Sequence, residues 1–171
     1  LHQLNVWGGQ PLPISASAWC GGILDVRLSG AAAAVDAAIA RLGGERIADE
    51  LAAARWSGLR EHSDAFFAPG HSPSPLWRLS LPSDALAVEL DGAQLVEWGG
   101  AQRWLRSHLA PERLRAQVAA LGGHATLFRD GARDGAVFHP LTPSMLALQR
   151  NLKNAFDPAG IFNPGRLYEG I

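Results

Sequence analysis

Along this chain the apolar positions switch repeatedly between a period of two and a period near 3.6, and each switch predicts an element. The opening row, Leu1 to Trp7, fits the last turns of a helix closed by Gly8 and Gly9. Gln10 to Trp19 reads as an extended approach, because Pro11 and Pro13 disfavour helix for themselves and for the residues before them. Ile23 to Leu28 alternates, with Leu24, Val26 and Leu28 on one face and Asp25 and Arg27 on the other, as a half-buried strand does. Ser29 is placed to cap an alanine-rich helix from Ala31 to Leu42, ended by Gly43 and Gly44. A second helix, about Asp49 to Phe67, puts Leu51, Leu59, His62 and Phe66 on a shared face, so His62 is expected in the core or at its boundary.

Prolines at 69, 73 and 75 force a loop. Leu76 to Leu81 and Leu86 to Leu90 read as strands, and the second meets Gln94 to Trp98 through Asp91-Gly92, a pair suited to a tight hairpin. Gly99 and Gly100 interrupt the pattern before Gln102 to Arg106 resumes it, which predicts one long strand with a bulge or sharp bend. Pro111 opens a helix striped by Leu114, Val118 and Leu121; His124 to Arg129 is a last strand, followed by a Gly-rich loop to Val137. Thr142-Pro143 starts a final helix with Met145, Leu148, Leu152 and Phe156 along one stripe. The order predicts an α+β fold: an antiparallel sheet covered by helices on one face, with a ferredoxin-like core and an inserted helix.

Composition narrows the chemistry. With 171 residues, 47% of them hydrophobic, the chain can bury one ordinary core. A formal net charge of -1 and a pI near 6.6 give no global field to gather phosphates, which argues against nucleic acid as a partner. The single cysteine, Cys20, makes no internal disulfide and cannot alone hold a cluster or a structural zinc; it reads as a small hydrophobe in a reducing compartment. No apolar run approaches the roughly 20 residues that cross a bilayer. The Gly-Gly pairs extend into neither G-x-G-x-x-G nor a Walker loop, so a nucleotide cradle is not in this sequence. The six histidines lack metal-ligand spacing, no metal site is expected, and no serine or cysteine has the surroundings of a catalytic nucleophile.

The tail from Lys153 to Tyr168, KNAFDPAGIFNPGRLY, carries the specific signal. It reads as a helix stopped by Asp157-Pro158, a turn through Gly160, and a second turn at Asn163-Pro164-Gly165 that presents Arg166 on irregular backbone. Local chemistry alone also allows a C-terminal strap packed by Phe156, Ile161, Phe162 and Leu167 on its own domain.

This tail resembles the closing signature of FAD-linked oxidases of the vanillyl-alcohol oxidase type. Within that family Gln10 to Ser15 (QPLPIS), Trp98 to Trp104 (WGGAQRW) and Phe138 to Met145 (FHPLTPSM) are similar to small FAD-binding subunits of glycolate oxidases. The resemblance implies an entry segment, residues 1–22, leaving an FAD-binding domain that precedes Leu1; an α+β cap domain over residues 23–137; and a C-terminal helix and strap, residues 138–171, returning toward the FAD domain. It further implies FAD in the intact protein, hydride transfer from a small 2-hydroxy acid such as glycolate, a second flavin subunit and an iron-sulfur subunit as partners, and a cytoplasmic location, with peripheral membrane association through the complex as an alternative. The isolated chain is expected to be inactive and to supply no catalytic residue. Asn163 and Arg166 are the candidates for contact with FAD.

Larger relatives carry a W-x-[LIV]-R strand whose arginine can hold the substrate carboxylate, whereas Trp77-Arg78-Leu79-Ser80 puts serine at that last position. Arg78 is thus a substrate or interface candidate or an ordinary exposed cation. Trp98, Arg103 and Trp104 line a flavin edge or a subunit interface, or else belong to the core. The alternative to a catalytic cap is a scaffold subunit that docks the flavin and iron-sulfur partners.

Overall fold

The computed structural model describes residues 1–68, 74–87, 90–132 and 137–171. A short helix, α1 (His2–Gly8), leads through the two prolines into β1 (Ile14–Cys20). Gly21 and Gly22 both take positive φ and reverse the chain into β2 (Ile23–Leu28). The strand at β1 corrects the expectation of a mere extended approach. Its small residues give little hydropathy signal, yet they pair on both sides, with β2 and with a later strand, and that pairing decides the conformation. Residues 14–20 of the entry segment therefore lie in the sheet.

Two helices follow, α2 (Ala32–Leu42) and α3 (Asp49–Arg60). Ser29 does not cap α2: the N-cap is Ala31, without a side-chain bond, and the Ser29 hydroxyl shares a 2.8 Å hydrogen bond with Ser15 across the β1–β2 pair. α3 stops short of Phe67 because His62 adopts φ 55 and the amides of Ser63 and Asp64 turn back onto the Gly58 carbonyl. Leu51, expected on the inner face, is exposed. Arg55 of α3 bridges Asp25 of β2 and Asp64 of this turn, fixing the helix end against the sheet.

The remaining elements are β3 (Leu76–Ser80), β4 (Ala93–Glu97), β5 (Gln102–Arg106), α4 (Pro111–Ala120), β6 (His124–Arg129) and α5 (Pro143–Phe156). β4 and β5 form a hairpin rather than one bent strand, because Trp98 and Gly99 both have positive φ and a 3-10 turn at Trp98–Gly100 reverses the direction. Leu86, Ala87 and Leu90 are irregular, so the expected strand there is absent among the described residues, and positions 88–89 lie outside them. Residues 69–73 of the proline loop and 133–136 of the Gly-rich loop also lie outside the described residues. Gly92 is required where it stands: its φ is +133, and a Cβ would meet the Arg106 carbonyl oxygen at 2.1 Å.

The six strands form one sheet in the order β2-β1-β4-β5-β3-β6, with every pairing antiparallel. β5 and β6 both run opposite to β3 between them, so β5-α4-β6 is a split β-α-β crossover; β3 and β4 flank β5 in the same way. This is the interleaved strand pattern of a ferredoxin-like core, extended by the β1–β2 hairpin. The α+β class and the antiparallel sheet are as expected, but helical cover comes from both sides. Trp77, Leu79, Leu105, Ala125 and Leu127 pack under Leu114 and Val118 of α4 on one face. Ala18, Leu76, Leu95 and Trp104 pack with Leu59 of α3 and Phe67 on the other. The period-two alternation of β3 and β5 feeds both cores, which a one-sided layer would not need.

Candidate functional site

Directly opposed residues in an antiparallel pair share a face, so the register lays out the α3 side of the sheet in rows. One row runs Ala18, Glu97, Gln102, Ser80, His124; the next runs Cys20, Leu95, Trp104, Arg78, Thr126; a third joins Ala93, Arg106, Leu76 and Arg129. Chemistry-bearing side chains therefore gather at the middle of this face. Arg78 Nε donates to Gln102 Oε1 at 2.9 Å, Gln102 Nε2 donates to Glu97 Oε2 at 3.2 Å, and Trp104 Nε1 donates to the same Glu97 oxygen at 2.6 Å.

His62, held by its left-handed backbone at the end of α3, lies over these rows. Its ring stacks on Phe67 at 4.3 Å and meets Trp104 at 4.8 Å and Phe128 at 5.3 Å edge to face. Burial, followed by the charge of Arg129, pushes the imidazole pKa below its ordinary value, so neutral His62 is favoured near pH 7. The Arg129 guanidinium lies against the same two phenyl rings, 5.9 Å from Phe67 and 5.7 Å from Phe128. Its Nε and Nη2 are buried and have no hydrogen-bond partner. An open cleft of about 820 Å³ runs from His62, Glu97, Trp98 and Gln102 to Trp56, Arg27 and Ser17.

The sequence candidates separate into two groups. Arg103 is 2% exposed and donates to the carbonyls of Gly100, Leu86 and Ala85, so it ties the 81–87 connection to the β4–β5 turn. Trp104 is also 2% exposed and sits at the centre of the aromatic cluster. Both side chains are buried within this chain. Arg78 is exposed, and Trp98 is 66% exposed beside the cleft, with its turn held by Gly99 N–H donating to Ser17 Oγ. His62, Glu97, Gln102 and Arg129 were not candidates. Only the strand register and the break in α3 bring them together, and neither is written in local sequence.

The C-terminal tail forms a second locus. Thr142 caps α5 by accepting the Met145 amide, as the sequence predicts. At the other end, the Asp157 carboxylate accepts Lys153 Nζ at 2.5 Å, Ile161 N–H at 3.1 Å and Phe162 N–H at 2.9 Å, while Lys153 also donates to the Phe162 carbonyl. The Lys153 bond first, then the Phe162 amide, hold the Asp157 carboxyl below the usual carboxylate range. This hub orders the strap, Tyr168 Oη donates to the His139 carbonyl farther along it, and Asn163 (φ 46) and Arg166 are left exposed. Among the described residues neither makes a side-chain hydrogen bond or ion pair to the sheet-face cluster. α5 has no buried residue: Met145, Leu148, Leu152 and Phe156 are exposed, and Ile161, Phe162 and Leu167 continue the apolar surface along the strap. The strap is thus ordered by polar bonds rather than packed into its own globule.

Residues 138–167, which include α5 and the strap, match the family of FAD linked oxidases, C-terminal domain. Over 168 residues, 98% of this chain, the sequence is 42% identical to glycolate oxidase subunit GlcE of Escherichia coli (strain K12). The chain is a relative of that subunit. It spans 45% of that relative's length, and with the family segment at its end it fits the C-terminal portion of such a protein. The resemblance carried by the tail, by Trp98 to Trp104 and by Phe138 to Met145 therefore extends over nearly the whole chain. No solved structure gives a significant match. Among the described residues no helix is long and apolar enough to cross a membrane, and no group of three or more His, Cys, Asp or Glu is arranged to hold a metal ion.

Proposed function

We propose that this chain is the cap of an FAD-dependent 2-hydroxy-acid oxidoreductase, acting on glycolate as part of a glycolate oxidase with a second flavin subunit and an iron-sulfur subunit. The observation that carries this reading is the apolar face of α5 and its strap: Met145, Leu148, Leu152 and Phe156 stand exposed, and Ile161, Phe162 and Leu167 continue that exposed surface. Leaving four large apolar side chains of one helix in water is costly, and such a stripe is the mark of a docking face. The FAD-binding domain is the occupant: the strap reaches it, Asn163 offers an amide hydrogen bond, and the Arg166 guanidinium offers a charge-assisted bond to an anionic group of the cofactor.

FAD, when bound, accepts the hydride released from the α-carbon of the hydroxy acid. What this chain adds is position and shielding. Asp157 and Lys153 fix the strap, the sheet face with His62, Arg78 and Gln102 is turned to the reacting side, and neutral His62 can accept a proton at a ring nitrogen. The chain by itself binds no flavin and turns over no glycolate.

In the intact protein, Leu148→Asp with Leu152→Asp is expected to lower flavin stoichiometry at least severalfold; full flavin content with normal turnover would overturn the cap reading. A scaffold role without direct catalysis is favoured by one observation, half-buried Ser80 between Gln102 and His124 where larger relatives place arginine. Full glycolate turnover by a complex whose flavin site in this subunit is redox-dead would support that role.

A further inference from the structure

α5 buries no residue, and bonds that tie the arm of residues 137–171 to the sheet gather instead at the outer edge of β6. The Val137 carbonyl accepts the Leu127 amide at 2.9 Å and Arg115 Nη2 at 3.3 Å. Two positions along the same edge, the amide of fully buried Ala125 donates to His139 Nδ1 at 3.3 Å. The strap closes on the same residues: Tyr168 Oη donates to the His139 carbonyl at 3.0 Å, and the Tyr168 and Phe138 rings stand 6.1 Å apart. A buried edge amide deprived of its acceptor carries the full cost of its desolvation. Here that acceptor is a titratable ring nitrogen, where a further strand would have supplied a carbonyl.

We infer that His139 is an acid-sensitive latch: its neutral ring pins the arm made of α5 and the strap to the edge of β6, and a proton at Nδ1 releases it. Nδ1 accepts a hydrogen bond only with its lone pair free, so the closed latch is a neutral imidazole carrying its proton on Nε2. Protonation sets the new Nδ1–H against the Ala125 N–H, donor against donor, and the buried amide loses its partner. Among the described residues, the charged and titratable groups around the ring are His124 of β6, with ring centroids 6.5 Å apart, Arg115 of α4, and Tyr168 of the strap. Burial first, then the charges of His124 and Arg115, push the His139 pKa below its ordinary 6.5, so the latch is closed near neutrality and opens more readily as pH falls below that value. The inference goes beyond the cap reading and stands without it. On that reading, release also unseats the strap that presents Asn163 and Arg166.

The test is amide hydrogen exchange of the intact protein at about pH 7.5 and about pH 5, expressed as protection relative to the unstructured rate at each pH. In wild type the Ala125 amide is expected to lose about fivefold or more in protection at the lower pH, beyond any loss in the β3–β5 ladder, with residues 137–142 and 163–168 loosening alongside it. His139→Asn places Oδ1, an acceptor that does not titrate, where Nδ1 stood, and should hold Ala125 protection relative to the ladder within about twofold between the two conditions. His139→Phe, which keeps a ring but no acceptor, should show low protection at both. If wild-type Ala125 falls only in step with the β3–β5 ladder, or if His139→Asn loses as much as wild type, the inference is overturned. Should His139→Phe fail to fold, the comparison of wild type with His139→Asn decides alone. Flavin absorbance of the same samples separates the two readings: the expected exchange pattern in a protein that holds no flavin at either pH supports the latch and defeats the cap reading.

Discussion

Lys153 and Asp157, one turn apart at the end of α5, form a 2.5 Å ion pair whose carboxylate also accepts the amides of Ile161 and Phe162. The pair converts a helix end into an ordered strap that presents Asn163 and Arg166. Asp157→Ala should free both amides, and their hydrogen exchange, read by NMR, is expected to accelerate by about tenfold or more. Because the Asp157 carboxyl is held below its ordinary value of 3.8, its contribution is complete above that value and is lost as pH falls through the lower folded-state value. Exchange rates at Ile161 and Phe162 that ignore the substitution would remove the hub from the account.

Arg103 is predicted to matter for stability, not for ligand binding. Arg103→Leu strips donors from the carbonyls of Gly100, Ala85 and Leu86 and is expected to cost roughly 3 kcal/mol of folding stability, measured by urea unfolding. A loss below about 1 kcal/mol would show that these carbonyls find water instead.

Trp104→Phe keeps the ring cluster but deletes the 2.6 Å bond to Glu97. A hydrogen bond to a charged acceptor is worth about 2 kcal/mol, and the urea midpoint should fall accordingly. The same substitution leaves Glu97 held by Gln102 alone.

His62 and His139 both have pKa values pushed below the ordinary 6.5, in each case first by burial. The unfolded chain therefore takes up protons that the folded chain refuses. Stability is complete above about pH 6.5 and declines as pH falls below it. Unfolding measured at about pH 5 and about pH 8 should show this loss. His62→Phe, which preserves the stack on Phe67, should reduce it while His139 retains the remainder. An unchanged pH dependence in His62→Phe would contradict the buried, neutral assignment.

Much of the framework was legible in the residues. The stripe Leu114-Val118, the Thr142-Pro143 start and the alternation of Leu76 to Ser80 each reflect local rules that tertiary structure did not override. β1 was not legible, because alanine and serine carry no strong preference and become a strand only through neighbours on both edges. The end of α3 was missed because nothing short-range announces that His62 will turn left-handed; its stack on Phe67 and edge contact with Trp104, distant in sequence, hold it there. The strap was recognised from its residues, whereas the hydrogen-bonded chain from Arg78 through Gln102 to Glu97 depends on register across three strands and no local pattern specifies it.

The central claim is that the α5 face and its strap are covered by a flavin-binding domain. Hydrogen–deuterium exchange of the intact, flavin-loaded protein, compared with this 171-residue chain alone, tests it most directly. The account predicts at least tenfold slower exchange across Met145 to Arg166 in the intact protein, with the β3–β5 core unchanged. Equal exchange in the two would contradict it.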